Sequence, residues 1–252
     1  MVAMAQRTQI IRTAAWIWFA ATIAVMVVAF REAVFLAPTE ATMGDIQRIF
    51  YYHVPFAIFG LIFPYVNLVA SLSYLYFRNR NPLSALTADA LALASAEVTV
   101  LYTSVGLMTG MLWAKPVWGI WWTWDARLTT YFILWLLYVS YLLTRRFTSA
   151  GGASGQTSAL AAVLSIFAAV DVPIVYMSIR WWRTQHPSPV FGGGADSGLD
   201  PSLYPAFLWN IAGWAMWGIF ILLFRFALER RRQLTEQETA LRTIEASLEI
   251  PQ

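Results

Sequence analysis

The chain has 252 residues, 59% of them apolar and 12% charged, with a formal charge of +3, a pI near 9.3 and a mean hydropathy of +0.56. That composition excludes an ordinary soluble domain and points to an integral membrane protein whose positive balance reflects topology, not nucleic acid. The absence of cysteine excludes disulfides, thiolate metal sites, Fe–S clusters and a C-x-x-C-H haem attachment sequence, and the single lysine, Lys115 before Pro116, excludes a Walker A sequence.

Apolar stretches suited to a hydrocarbon core of about 30 Å occupy residues 14–30, 56–77, 88–112, 129–143, 158–179 and 207–226. The expected fold is an all-α integral membrane protein: a bundle of six transmembrane helices with a short tryptophan-rich outer segment. Residues 1–230 form the membrane domain and 231–252 a solvated tail. The first stretch follows Arg7 and Arg12, but it is long and no small-residue cleavage site follows, so it reads as a retained helix and not a signal peptide. The fourth is short of the roughly 20 residues a crossing needs, so its helix is expected to borrow residues upstream, from the tryptophan-rich stretch. Lys and Arg are evenly shared among the loops, and the tie is broken by Arg225, Arg230, Arg231 and Arg232 at the end of the sixth span. Both termini are therefore expected in the cytoplasm of an inner (plasma) membrane protein, with segments 31–55, 113–128 and 180–206 outside.

Segments 78–87 and 144–157 read as plain helix connectors. The outer segments carry the chemistry. Trp118-Gly119-Ile120-Trp121-Trp122-Thr123-Trp124-Asp125-Ala126-Arg127 packs four indoles, an acid and a base into one short stretch. Read as a helix with Pro116 in its first turn, it gathers Trp118, Trp121, Trp122 and Asp125 on one face as an aromatic shelf. An interfacial aromatic belt would account for one or two of these tryptophans; four beside a carboxylate and a guanidinium suit a large, flat, apolar ligand.

The two histidines, His53 and His186, fall in different outer segments at similar expected depth. A lone loop histidine is usually structural, but two on one membrane face, flanking such a shelf, suit the axial ligation of haem iron. Arg48, Lys115, Arg127, Arg180 and Arg183 are candidates for the haem propionates. Glu97 and Asp171 fall inside spans, where an ionisable group is costly and is either functional or bonded between helices. Gly192-Gly193-Gly194 is a flexible loop element, not a phosphate cradle.

At this point the chain resembles the haem-handling membrane proteins of cytochrome c biogenesis with the tryptophan-rich WWD motif, W-G-x-W-W-x-W-D-x-R-L-T, which Trp118 to Thr129 matches throughout. The resemblance is closest to the CcmC family and covers about residues 10–230, with Tyr52-His53-Val54-Pro55 and Trp181-Trp182-Arg183-Thr184-Gln185-His186 similar to that family's two histidine contexts. It implies haem b held by His53 and His186 against Trp118, Trp121, Trp122, Trp124, Asp125 and Arg127, then passed to the periplasmic haem chaperone CcmE. The implied partners are the ABC ATPase CcmA, the permease CcmB and the single-span CcmD, besides membrane lipid. The chain thus reads as a binding and transfer protein more than a conventional enzyme. The alternatives are a solute or haem permease resting on Glu97 and Asp171, a b-type cytochrome, whose histidines usually project from helix interiors, and a larger synthetase-type relative.

Overall fold

The computed structural model describes residues 2–150, 154–191 and 198–248. The three consecutive glycines at 192–194 therefore lie outside the described residues. Six helices follow in order: α1, Val2–Arg31; α2, Phe50–Phe77; α3, Pro82–Trp118; α4, Ala126–Ala150; α5, Ser154–Trp181; and α6, Tyr204–Leu248. A π-helical turn, Glu32–Leu36, extends α1, and 3-10 turns at Asp45–Ile49 and Pro201–Leu203 lead into α2 and α6. There is no strand among the described residues, and all six helices are long and apolar enough to cross a membrane. The chain is an all-α, multi-pass membrane protein.

Helices α2 and α3 pair most extensively, α5 and α6 flank α2, α4 lies against α3 and α5, and α1 rests on α6. The α2–α3 pairing follows from alanine: Ala85, Ala88, Ala90, Ala92, Ala94 and Ala96 are all buried, and small side chains let helix backbones approach where water gives no hydrophobic drive. The wider core is aromatic, with Tyr138, Tyr141 and Leu134 of α4 packed on Val172 and Val175 of α5.

Two of the carboxylates inside this core are paired with arginines, as a low-dielectric interior favours. Glu97 takes two bonds from Arg225, 2.6 Å each. Asp89 takes two from Arg145, at 2.6 and 2.7 Å, and a third from Gln233 at 3.1 Å. Glu97 is thus a strut between α3 and α6. Asp171 is buried on α5, and its Oδ2 has no hydrogen-bond partner among the described residues.

Three boundaries differ from the sequence expectations. The second helix begins at Phe50 and includes Pro55 and Pro64, because membrane helices tolerate proline where neighbours satisfy the freed backbone; His53 is helical in consequence. The fourth helix gains its length downstream, reaching Ala150, and not from the tryptophans. The sixth runs unbroken from the membrane span into the expected tail.

Candidate functional site

The tryptophan segment is not a helix. Gly119 ends α3 at φ 79°, a left-handed conformation open to glycine, and the Lys115 ammonium donates to the Gly119 carbonyl at 3.0 Å. Residues 119–125 then run without regular structure until Asp125 restarts the chain as α4: its Oδ1 accepts the backbone N–H of Arg127 at 2.9 Å and of Leu128 at 3.2 Å. Pro116 therefore lies in the last turn of α3, not the first turn of a new helix.

The single aromatic shelf is accordingly replaced by two clusters. Trp118 packs edge-on against Trp113, with ring centroids 5.2 Å apart. Trp122 packs against Trp124 and Phe132, each at 5.8 Å, and Phe132 stacks on Trp135. Trp121 and Trp124 stand 53% and 75% exposed, large apolar surfaces among the described residues, with the Lys115 ammonium 5.9 Å from the Trp121 ring centroid. The Trp122 indole N–H and the hydroxyls of Thr123 and Thr129 are buried without a partner among the described residues.

Both histidines reach this end. His53 lies in the first turn of α2 and His186 in the segment after α5, and their ring centroids are 6.5 Å apart with planes inclined by 42°. In each ring an oxygen partner at Nδ1 favours the tautomer protonated there. The Thr109 hydroxyl on α3 lies 3.1 Å from Nδ1 of His53 and within reach of the Val105 and Gly106 carbonyls, at 2.7 and 3.2 Å; with its proton on a carbonyl, its oxygen accepts from Nδ1–H of His53. A carbonyl can only accept, so Nδ1–H of His186 donates to Pro187 at 2.8 Å. In both rings Nε2 keeps its lone pair, the arrangement found when the second ring nitrogen of a metal-binding histidine is held by an oxygen. Gly110 makes room for this: a Cβ there would sit 3.1 Å from Cε1 of His53.

Burial pushes the His186 pKa down to about 4, helped by the nearby Arg127 guanidinium and opposed by the Pro187 hydrogen bond and Asp125. The ring is neutral at neutral pH, with its lone pair available. Two imidazoles on one metal at about 2 Å per bond have centroids about 6 Å apart, close to the 6.5 Å spacing here. No group of three His, Cys, Asp or Glu able to hold a metal ion occurs among the described residues, so an iron held by this pair must bring its own equatorial ligands. A haem does so, and the exposed indoles suit its flat apolar ring.

Asp125 is tied into the protein. Its Oδ2 accepts the Thr184 hydroxyl and, at 2.8 Å, the Gln185 backbone N–H. These four donated bonds hold its pKa below the usual carboxylate value, against the partial burial that raises it. Arg127 turns inward and donates to the Val175 carbonyl of α5. Arg48 is spent on Asp45 and the Ala33 carbonyl, and Arg180 lies over the Tyr176 ring. Of the five basic candidates, Lys115, Arg180 and Arg183 are exposed.

Sequence reading missed Thr109, Thr184 and Gly110. A threonine or glycine in an apolar helix carries no signal of what it faces, whereas Thr184, two residues before a histidine, was open to suspicion.

Comparison with known proteins gives one consistent result. A family model described as CcmC, Heme exporter protein C, matches residues 2–241. Heme exporter protein C of Bradyrhizobium diazoefficiens is 34% identical over 233 residues, covering 90% of this chain and 82% of its own. The Escherichia coli K12 protein of that name is 30% identical over 225 residues, 85% of each chain. A cytochrome c biosynthesis ccmC-like mitochondrial protein of Marchantia polymorpha is 30% identical over 207 residues, 82% of each.

Proposed function

Because the chain belongs to the CcmC family, Heme exporter protein C, whose role is haem handling in cytochrome c maturation, we propose that it holds haem b at the outer membrane face and delivers it to the chaperone CcmE. His53 and His186 are the axial ligands. Trp121 and Trp124 offer apolar cover to the macrocycle, Trp122 backs Trp124, Trp118 packs on Trp113, and Asp125 and Arg127 position the elements around them. CcmA, CcmB and CcmD are the membrane partners, the first supplying the ATP hydrolysis for which this chain has no Walker sequence. Both termini, and the tail at 231–252, lie in the cytoplasm, since Arg225 and Arg230 to Arg232 mark that end.

The observation that carries this reading is the pair of imidazoles 6.5 Å apart, each with Nδ1 spent on an oxygen and Nε2 left with its lone pair. The haem itself supplies the iron and its four equatorial nitrogens. This chain's residues hold Nδ1 of each ring on an oxygen and leave the Trp121 and Trp124 indoles exposed.

The permease alternative loses one of its two supports, because Glu97 is paired with Arg225, while Asp171 stays buried with its Oδ2 unpartnered among the described residues. The b-type cytochrome remains a physical alternative, since His53 projects from a helix, but its haem would stay put. The test is to purify the protein from cells with and without CcmE and to measure haem per protein beside haem-loaded chaperone. Haem that accumulates without the acceptor and leaves with it is the expected result. Haem content indifferent to CcmE would contradict delivery.

A further inference from the structure

The two histidines are held in different ways. His53 is part of α2, its Nδ1 is bonded to Thr109 of α3, and its ring fills the space over Gly110; its backbone moves only with α2. His186 sits in the connection between α5 and α6, and its ring hydrogen bond goes to the carbonyl of the very next residue, so that bond travels with the ring.

The connection is tied to the bundle on either side of His186. On the far side Phe191 packs on Phe207 and its carbonyl accepts from Tyr176. On the near side the tie is a carboxylate: Asp125 accepts the Thr184 hydroxyl and the Gln185 N–H, and the Thr184 oxygen in turn accepts the His186 backbone N–H at 3.0 Å. One hydroxyl thus bonds both to the residue that starts α4 and to the backbone of the histidine. Hydrogen bonds to a charged acceptor are among the stronger ones, yet two neighbouring donors, the Thr184 hydroxyl and the Gln185 N–H, are all that must turn away to open this one.

We propose that Thr184 is the positioning residue of a latch, closed by Asp125, that makes His186 the exchangeable axial ligand while His53 keeps its hold. Opening the latch withdraws His186: one iron–nitrogen coordination bond breaks with its electron pair staying on Nε2, and the vacated position goes to another neutral nitrogen donor, with no change of charge or oxidation state. The proposal rests on the reading of both histidines as haem ligands. It adds a direction to handover, since release begins from the His186 side.

The absence of cysteine makes a haem-free measurement direct. In a His186→Cys background, the half-buried position that the latch holds, Thr184→Val keeps side-chain shape but removes the hydroxyl. It should raise the rate of maleimide labelling about tenfold, the loss expected for a hydrogen bond to a charged group, and Thr184→Ser should restore it. Thr109→Val should leave the rate unchanged. In haem-loaded protein, Thr184→Val should admit added imidazole at concentrations that leave the unsubstituted protein's spectrum unaltered. Labelling and imidazole access both unchanged in Thr184→Val overturn the latch. If His186→Ala itself leaves the haem spectrum unaltered, it is the ligand reading that has failed, whereas an altered His186→Ala spectrum beside an inert Thr184→Val removes the latch alone.

Discussion

Glu97 on α3 and Arg225 on α6 meet as a two-armed ion pair with both N–O distances at 2.6 Å. Side-by-side geometry of this kind is the strongest a carboxylate and a guanidinium adopt, and within a membrane span each charge depends on the other for solvation. Glu97→Gln should therefore strand Arg225 and lower the thermal midpoint by several degrees, while Glu97→Gln with Arg225→Met should recover part of the loss. A single substitution that leaves the midpoint unchanged would mean that the pair does not brace the bundle.

The tryptophans should separate by exposure. Trp122 is packed between Trp124 and Phe132, so Trp122→Ala should lower protein stability together with haem content, by about 3–5 kcal/mol if the cavity cannot collapse. Trp121 and Trp124 are exposed. Their alanine variants should lose haem while melting like the unsubstituted protein. Equal destabilisation in all three, measured beside haem per protein, would contradict the division.

Asp125 is bonded into the protein on both of its oxygens, which bears on what its substitution should do. A carboxylate at the rim of a helical shelf would steer a partner, and Asp125→Asn would then keep haem and transfer it poorly. In the structure both its oxygens accept two donors each, and an amide would turn an NH₂ toward one pair. Asp125→Asn is expected to lose haem along with transfer, because α4 loses its cap or His186 its tie. Full haem content in a correctly inserted Asp125→Asn protein would restore the steering role.

The topology is checked with single cysteines, given the cysteine-free chain. Positions beside His53, Trp124 and His186 should react from outside in intact cells, and Asn79 should not. Labelling at Asn79 with the other three silent would invert the orientation.

Much of the architecture was legible because apolar stretches of membrane length need no partner to be recognised. All six helices contain their expected stretches. What periodicity could not see was the left-handed Gly119, which breaks the helical shelf by a backbone angle that no hydrophobic pattern records. The pairing of Asp89 with Arg145 across 56 residues was equally hidden, since tertiary contact and not local sequence decides it. The site was legible in its rare residues, two histidines and a tryptophan cluster. Its positioning groups, Thr109 and Thr184, were not, because a threonine gains a role only from what the fold sets beside it.

The central claim is that His53 and His186 share one iron through Nε2. The absorption spectrum of the purified, haem-loaded protein tests it most directly. The unsubstituted protein should show a low-spin, six-coordinate spectrum, His53→Ala and His186→Ala should each convert it to a five-coordinate or ligand-exchanged one, and added imidazole should partly restore the original. Unchanged spectra in both variants, with protein folded and inserted, would contradict the account.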